Sequence, residues 1–365
     1  MKVRLKELGE IITGNTPSKK IKEFWNSEDI YFIKPDIIED SGVNEISETN
    51  EYISEEARKK ARIVTKKSIF VTCIGSIGKI GIASAGEYAF NQQINAIVPN
   101  EKVQSKYLAY NLLYNKPRLV AMANAPVVPI INKRQFGEFI VNIETDIGRQ
   151  VKIVNVLDRL THIIRLSKQE LEKLDELIKA RFVEMFGDPI INSKHLETKE
   201  LKDILILKAG DFTAASDIAD EPSEFNPYPC YGGNGIRGYV VEYNQEGEYS
   251  LVGRQGALSG NVQFASGKFK NTEHALLVTP IVEMNCIWLN QLLVNLDLKR
   301  YQTGAAQPGL SVKNLQEIKI LCVSIDEQKA FADFVRQVDK SKVAVQKALD
   351  ETQTLFDSLM QEYFG

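Results

Sequence analysis

The sequence predicts an α+β protein built twice over, in which two globular units of mixed strands and short helices are each followed by a long helix. Three observations predict it. The second half of the chain repeats the first at a nearly constant offset. Each half ends in an amphipathic stretch with coiled-coil spacing. The residues before each stretch alternate short apolar runs with glycine turns.

The repeat shows best at the end of each half. Gln150 stands 37 residues before Gly187 in Glu184-Met185-Phe186-Gly187, and Gln328 stands 37 residues before Gly365 in Glu362-Tyr363-Phe364-Gly365. Ile147-Gly148-Arg149-Gln150 matches Ile325-Asp326-Glu327-Gln328 at the same offset of 178. Upstream the match continues with small drifts. Leu5-Lys6-Glu7-Leu8 corresponds to Leu201-Lys202-Asp203-Ile204, and Gly14-Asn15-Thr16 to Gly210-Asp211-Phe212-Thr213. Phe70 to Gly75 corresponds to Leu251 to Gly256, and Phe136 to Val141 corresponds to Leu315 to Ile320. The expected division is 1–146, 147–187, 188–325 and 326–365, as unit, helix, unit, helix.

The two tails read as helices about 57 Å long at 1.5 Å per residue. Leu157, Leu160, Ile164, Leu171, Leu174, Ile178 and Met185 follow alternating steps of three and four, interrupted at Ser167 and Arg181. Val335, Val338, Val345, Leu349, Phe356 and Leu359 repeat the register, interrupted at Lys342 and Thr352. Such a seam calls for a partner helix, and each tail offers one to the other. The alternative is that each packs on its own unit. Within the units, 68–72, 96–98 and 275–278 have strand character, while 106–114 and 287–298 read as short helices.

Composition leaves room for more than one core, with 44% hydrophobic and 25% charged residues among 365. No run of about 18 apolar residues occurs. The opening Met1-Lys2-Val3-Arg4 lacks the apolar stretch of a signal peptide, and the first unit is expected to begin close to Met1. Cys73, Cys230, Cys286 and Cys322 are widely spaced, which suits a reducing cytoplasm better than a disulfide framework or zinc. The net charge of −3 is uneven: residues 1–145 carry 20 basic against 17 acidic side chains, and residues 188–325 carry 12 against 16. Nucleic acid is therefore bound through local basic loops or with partners, if at all.

No catalytic constellation emerges. Gly75-Ser76-Ile77-Gly78-Lys79-Ile80 is too short for a phosphate-cradling loop and lacks the hydroxyl after lysine. Asn226-Pro227-Tyr228-Pro229 only superficially resembles the box with which amino-methyltransferases hold a flipped base, and no glycine-rich cofactor loop precedes it. His162, His195 and His274 have no metal-ligand spacing. The expected answer is a chain without catalysis or metal of its own.

The duplicated frame resembles the specificity subunits of type I restriction–modification systems over essentially the whole chain. Gly14-Asn15-Thr16-Pro17, Trp25 and Ile33-Lys34-Pro35-Asp36 look like the opening of one class of target-recognition domain. Tyr231-Gly232-Gly233-Asn234-Gly235-Ile236-Arg237-Gly238-Tyr239, Gly253-Arg254-Gln255-Gly256 and Gln307-Pro308-Gly309-Leu310 look like another. Phe182 to Pro189 resembles the usual exit from the central helix. The resemblance implies two target-recognition domains that each read half of an asymmetric bipartite site. It implies two long antiparallel helices between them as a ruler, with a pseudo-twofold relation. It implies double-stranded DNA, two methylation subunits and restriction/translocase subunits as partners. S-adenosylmethionine, ATP and Mg would then serve those partners, with none in this chain.

Reading DNA takes donors and acceptors for base edges and cations for phosphates. In the first unit the candidates are Asn15, Lys34, Lys79, Asn91, Gln92, Lys133 and Arg134. In the second they are Asn234, Arg237, Arg254, Gln255, Lys270 and Asn271. For any one of them the alternative is a solvated side chain, or an amide that holds a loop. Gly75, Gly78, Gly256 and Gly260 read as turn formers. A coiled-coil adaptor with two protein-binding domains stands as the competing function, and a self-contained modifying enzyme as a third.

Overall fold

Ile69–Thr72 is buried along its whole length, as expected of a central strand covered on both faces. In this computed structural model, which describes residues 1–123, 128–256, 258–303 and 309–365, it lies in the middle of a five-stranded sheet. The order is Gly9–Thr13, Ile94–Pro99, Ile69–Thr72, Ile80–Ala83, Val43–Ile46. Neighbours are antiparallel except for the last pair, which is parallel. A four-stranded sheet built around Ile30–Ile33 and Glu87–Phe90 accompanies it.

The second unit is organised on a six-stranded sheet: Leu205–Ala209, Ala275–Pro280, Gln245–Gly253, Val262–Asn271, Tyr228–Gly232, Gly235–Val240. Its first three strands repeat the first three of the other unit. Thr72 faces Ile94 as Gly253 faces Ala275, and Thr13 faces Asn95 as Ala209 faces Leu276. A small ribbon recurs as well: Lys2–Arg4 pairs with Ile140–Asn142, and Thr198–Glu200 pairs with Lys319–Leu321. Each unit adds one ten-residue helix, Ser105–Tyr114 or Cys286–Asn295.

The long helices are Ile147–Phe186 and Ile325–Phe364, each of 40 residues. The compact units do not stop where these helices begin. The first is Met1–Lys168 with Lys347–Gly365, and the second is Gln169–Gln346. Each unit claims half of both helices because each buries helix side chains in its own core. In the first unit Val154 and Leu157 share a core with Met360 and Phe364. In the second, Ile178, Phe182 and Phe186 share one with Phe331, Val335 and Val338. The start of one helix thus lies beside the end of the other, antiparallel, in each unit. Both proposed packings of the seam occur together, against the partner helix and against the unit.

Leu157, Ile178, Val335, Val338 and Leu349 are buried on this stripe, and Leu160, Ile164, Leu171, Leu174, Val345, Phe356 and Leu359 are half-buried. The polar interruptions stay on the stripe. Ser167, Arg181, Lys342 and Thr352 are all half-buried, and Lys342 reaches Asp175 at 2.5 Å.

The glutamines that mark the repeat are the pins between helix and unit. Gln150 is fully buried. Its Oε1 accepts the Gln104 amide at 2.7 Å, and its Nε2 donates to the Glu144 carbonyl at 2.7 Å. Gln328 repeats both contacts, to the Asn285 amide at 2.8 Å and the Val323 carbonyl at 3.0 Å.

Candidate nucleic-acid interface

In each unit the repeated strands bring the same loops to one sheet edge, where Gly9–Thr13 and Ile69–Thr72 end and Ile94–Pro99 begins. The approach is too close for a side chain. A Cβ on Gly14 would lie 2.1 Å from the Asn91 carbonyl oxygen, and one on Gly210 would lie 2.0 Å from that of Asn271. The turns at this edge also repeat. Gly75 and Gly256 both have φ of +77°, and Gly78 and Gly260 have +79° and +88°. The Gly78 amide donates to the Thr72 carbonyl as the Gly260 amide donates to Gly253. The turn-forming expectation for these four glycines is met by their left-handed backbones.

In the first unit several candidates hold the edge together. The Asn15 amide donates to the Lys60 carbonyl at 2.6 Å and accepts the Arg62 amide at 2.8 Å. Gln92, exposed, accepts from the Thr16 hydroxyl at 3.0 Å. Asn91 is buried and spends both ends of its amide on Gln93. Lys79 lies at the same edge, with its ammonium 3.5 Å from the Pro35 carbonyl. Lys133 and Arg134 are exposed on the first turn of Lys133–Glu138, which Asn132 caps. Residues 124–127, just upstream, are outside the described residues.

Lys34 is committed elsewhere. It donates to Glu51 at 2.6 Å, and Lys19 reaches the other oxygen at 2.9 Å. Burial pushes the Glu51 carboxyl up, but the bonds from Lys34 and Lys19 outweigh it and hold the group below the ordinary range.

Sequence reading missed a basic patch here. Asn15 and Arg62, which also donates to the Thr13 carbonyl, tie the 55–62 segment to the loop after Thr13. Exposed Lys20, Lys22, Lys59 and Lys60 are thereby gathered, and none has an ion pair among the described residues. The doublets Lys19-Lys20 and Lys59-Lys60 were the only signal, because 40 residues separate them in the chain.

In the second unit the hairpin turn between Tyr228–Gly232 and Gly235–Val240 packs on a strand end. A Cβ on Gly253 would lie 2.2 Å from the Gly233 carbonyl oxygen. This contact sets Asn234, Arg237, Arg254 and Gln255 on one edge. Asn234 accepts from Asn261 at 2.6 Å. Arg237 is exposed and lies over Gly232. Arg254 is half-buried, and the guanidinium of neither arginine has a polar partner among the described residues. Gln255 is exposed and meets His274 at 2.9 Å.

Two candidates are corrected. Asn271 is fully buried beneath Gly210, and its amide faces no solvent. Asn91 is shut in by its own turn. The close strand-loop approach that admits only glycine at 14 and 210 also covers these two asparagines. Lys270 is mostly buried and lies 3.6 Å from Asp211. The Asp211 carboxyl is held below its usual range, chiefly by the bond from Asn244 and further by the Lys270 charge. Gln307 and Pro308 lie outside the described residues.

All four cysteines are free. Among the described residues no helix is long and apolar enough to cross a membrane, and no group of three or more His, Cys, Asp or Glu gathers that could hold a metal ion.

Comparison with known proteins supplies a context for this edge. A family model described as the type I restriction modification DNA specificity domain matches residues 1–176 and 193–352. The specificity subunit of the type I restriction enzyme EcoprrI from Escherichia coli is 30% identical over 349 residues, which cover 92% of this chain and 86% of that protein. The MjaIX specificity subunit of Methanocaldococcus jannaschii is 29% identical over 235 residues, covering 59% and 54%. The crystal structure of a type I restriction–modification S subunit from M. genitalium matches with a TM-score of 0.66 at 18% identity, covering 100% of this chain and 96% of that one. A chain from a structural study of the assembly and conformational transition of the type I R–M system matches with a TM-score of 0.58 at 14% identity, covering 100% and 97%. At these identities the structural likeness speaks for the fold.

Proposed function

The chain belongs to the type I restriction–modification DNA specificity family, and on that premise we propose that its two units each read one half of a bipartite, asymmetric DNA site. The observation that carries this reading is the repeated sheet edge. One frame, met twice, presents different side chains through loops of equivalent position. In the first unit the edge offers Gln92, Lys79, Lys133 and Arg134 with the lysines at 20, 22, 59 and 60. In the second it offers Asn234, Arg237, Arg254 and Gln255. Arginine pairs with guanine and glutamine or asparagine with adenine in the major groove, while lysines serve phosphates.

The long helices are the proposed spacer, about 60 Å each at 1.5 Å per residue. Methylation subunits are the proposed partners of their outer faces. Exposed Val156, Ile163 and Leu166 on the first helix supply apolar surface that the seam does not use. Catalysis is assigned to partner subunits, with S-adenosylmethionine for methylation and ATP with Mg for translocation and cleavage, in the cytoplasm.

Exchange of the loops spanning 231–260 for those of another family member tests the reading, with methylated adenines mapped in cells that also carry the methylation subunit. One half of the methylated motif is expected to change while the other stays. A motif that changes in both halves, or in neither, would overturn the assignment of one half-site to each unit.

A further inference from the structure

We propose that His274 is a positioning residue that fixes the Gln255 amide for one adenine edge in the half-site of the second unit. The inference rests on the reading proposed above. His274 stands between two acceptors. Its Nδ1 lies 2.9 Å from Gln255 Oε1, and its Nε2 lies 3.1 Å from Glu273 Oε1. Glu273 is held in turn, because its other oxygen accepts the Thr213 amide at 3.3 Å. The backbone adds a second set of ties. The Arg254 amide donates to the His274 carbonyl at 3.1 Å, the Leu310 amide donates to the Arg254 carbonyl at 2.8 Å, and Gln255 bridges to Gly309. The His274 side chain is 41% exposed, so this ladder lies at the surface.

A free glutamine amide turns over easily and offers oxygen or nitrogen to the same place. With the proton that Nδ1 needs to donate to Oε1, the His274 ring N–H occupies one lone pair of that oxygen and gives the amide a fixed sense. The second lone pair remains for the N6 amino group of adenine, and Nε2 remains to donate to N7. Ordering this side chain before DNA arrives removes an entropic cost from binding. Arg254, next in sequence and without a polar partner among the described residues, is left for a neighbouring guanine. The first unit has no such ladder among the described residues. Gln93 takes the backbone place of His274, its carbonyl accepting the Cys73 amide at 2.7 Å, but its side chain turns to Asn91.

The test uses the full chain assembled with its methylation subunits and DNA duplexes that carry each base change across the motif. His274→Ala is expected to lower discrimination at one position of one half-site on the order of tenfold. Gln255→Ala should act at that same position, with the double variant no worse there than Gln255→Ala alone. Arg254→Ala should act at a different position. His274→Asn, which keeps a donor where Nδ1 stands, should restore most of the discrimination. The opposite half-site, unchanged in every variant, reports that the complex is intact. Equal weakening on all duplexes, or failure of His274→Asn to restore, would overturn the positioning role. If His274→Ala is silent while Gln255→Ala and Arg254→Ala alter the motif, only this inference falls. If all three are silent, base reading by this edge falls with it.

Discussion

The loops that leave Thr13 and Ala209 occupy the same place on the repeated sheet, yet they differ in charge. The first sets Lys19, Lys20 and Lys22 against Glu23, Glu28 and Asp29 and is tied to Lys59 and Lys60. The second carries Asp211, Asp217, Asp220, Glu221 and Glu224, and no lysine or arginine occurs between residues 209 and 236. The glycine that starts each loop is nevertheless pressed against an asparagine carbonyl, that of Asn91 or Asn271, at 2.1 and 2.0 Å for an added Cβ. The frame has been kept twice while the surface has diverged. Backbone packing tolerates almost no change, whereas exposed loops tolerate a great deal. On the proposed reading the difference also divides the labour. The exposed lysines of the first unit would serve phosphates, which hold DNA of any sequence. The edge of the second unit would serve bases through Arg254, Arg237 and Gln255.

The shared frame is the easiest part of this comparison to break. Gly14→Ala and Gly210→Ala should each cost about 3 kcal/mol, the upper end for an inserted methylene with no room to relax. Gly75→Ala and Gly256→Ala face open space and left-handed backbone only, and should cost about 1–2 kcal/mol. Urea unfolding of the full chain measures all four. Equal costs within each pair would show that the two frames are energetically as well as geometrically alike.

The buried glutamines should give a somewhat smaller effect. Gln150→Ala leaves the Gln104 amide and the Glu144 carbonyl unpaired, and Gln328→Ala does the same to the Asn285 amide and the Val323 carbonyl. Each should cost about 1–3 kcal/mol. Glutamate at either position would bury a carboxylate against a backbone carbonyl, and should recover none of the stability. A cost in one unit and none in the other would break the equivalence.

The smallest effect should come from the side of the comparison that is not shared. Alanine at Lys20, Lys22, Lys59 and Lys60 together should weaken binding by the assembled complex roughly tenfold, about 1.4 kcal/mol, for every sequence alike. The slope of log affinity against log salt should become shallower by up to about 0.9 for each phosphate that the variant no longer neutralises. The methylated motif should be unchanged. A motif altered in the first half-site would instead mark these lysines as base readers.

Much of this was legible in the residues. Gln150 and Gln328, chosen by spacing, prove to be the buried pins of the two long helices. Gly14 and Gly210, matched by a short word, prove to be the same backbone contact. The alternating steps of three and four placed the helix stripe, including its polar members. Asn91 and Asn271 were misread because an exposed asparagine and one enclosed by a turn look alike in a sequence. The lysine patch left only its two doublets as a signal, and the contact between His274 and Gln255 left none, since in both the partners come from separate loops.

What the sequence determined alone was therefore everything with a period: the duplication, the two helices and their apolar stripe, and the glycines that open each edge. Periodicity is a local property, because 3.6 residues per helical turn and two per strand repeat act over neighbouring positions. The tertiary structure alone decided which polar groups face solvent and which face each other. Asn15 meets Lys60, and Gln255 meets His274, only because segments far apart in the chain lie side by side, and the register of the strands that carry them is set by the burial of the whole sheet.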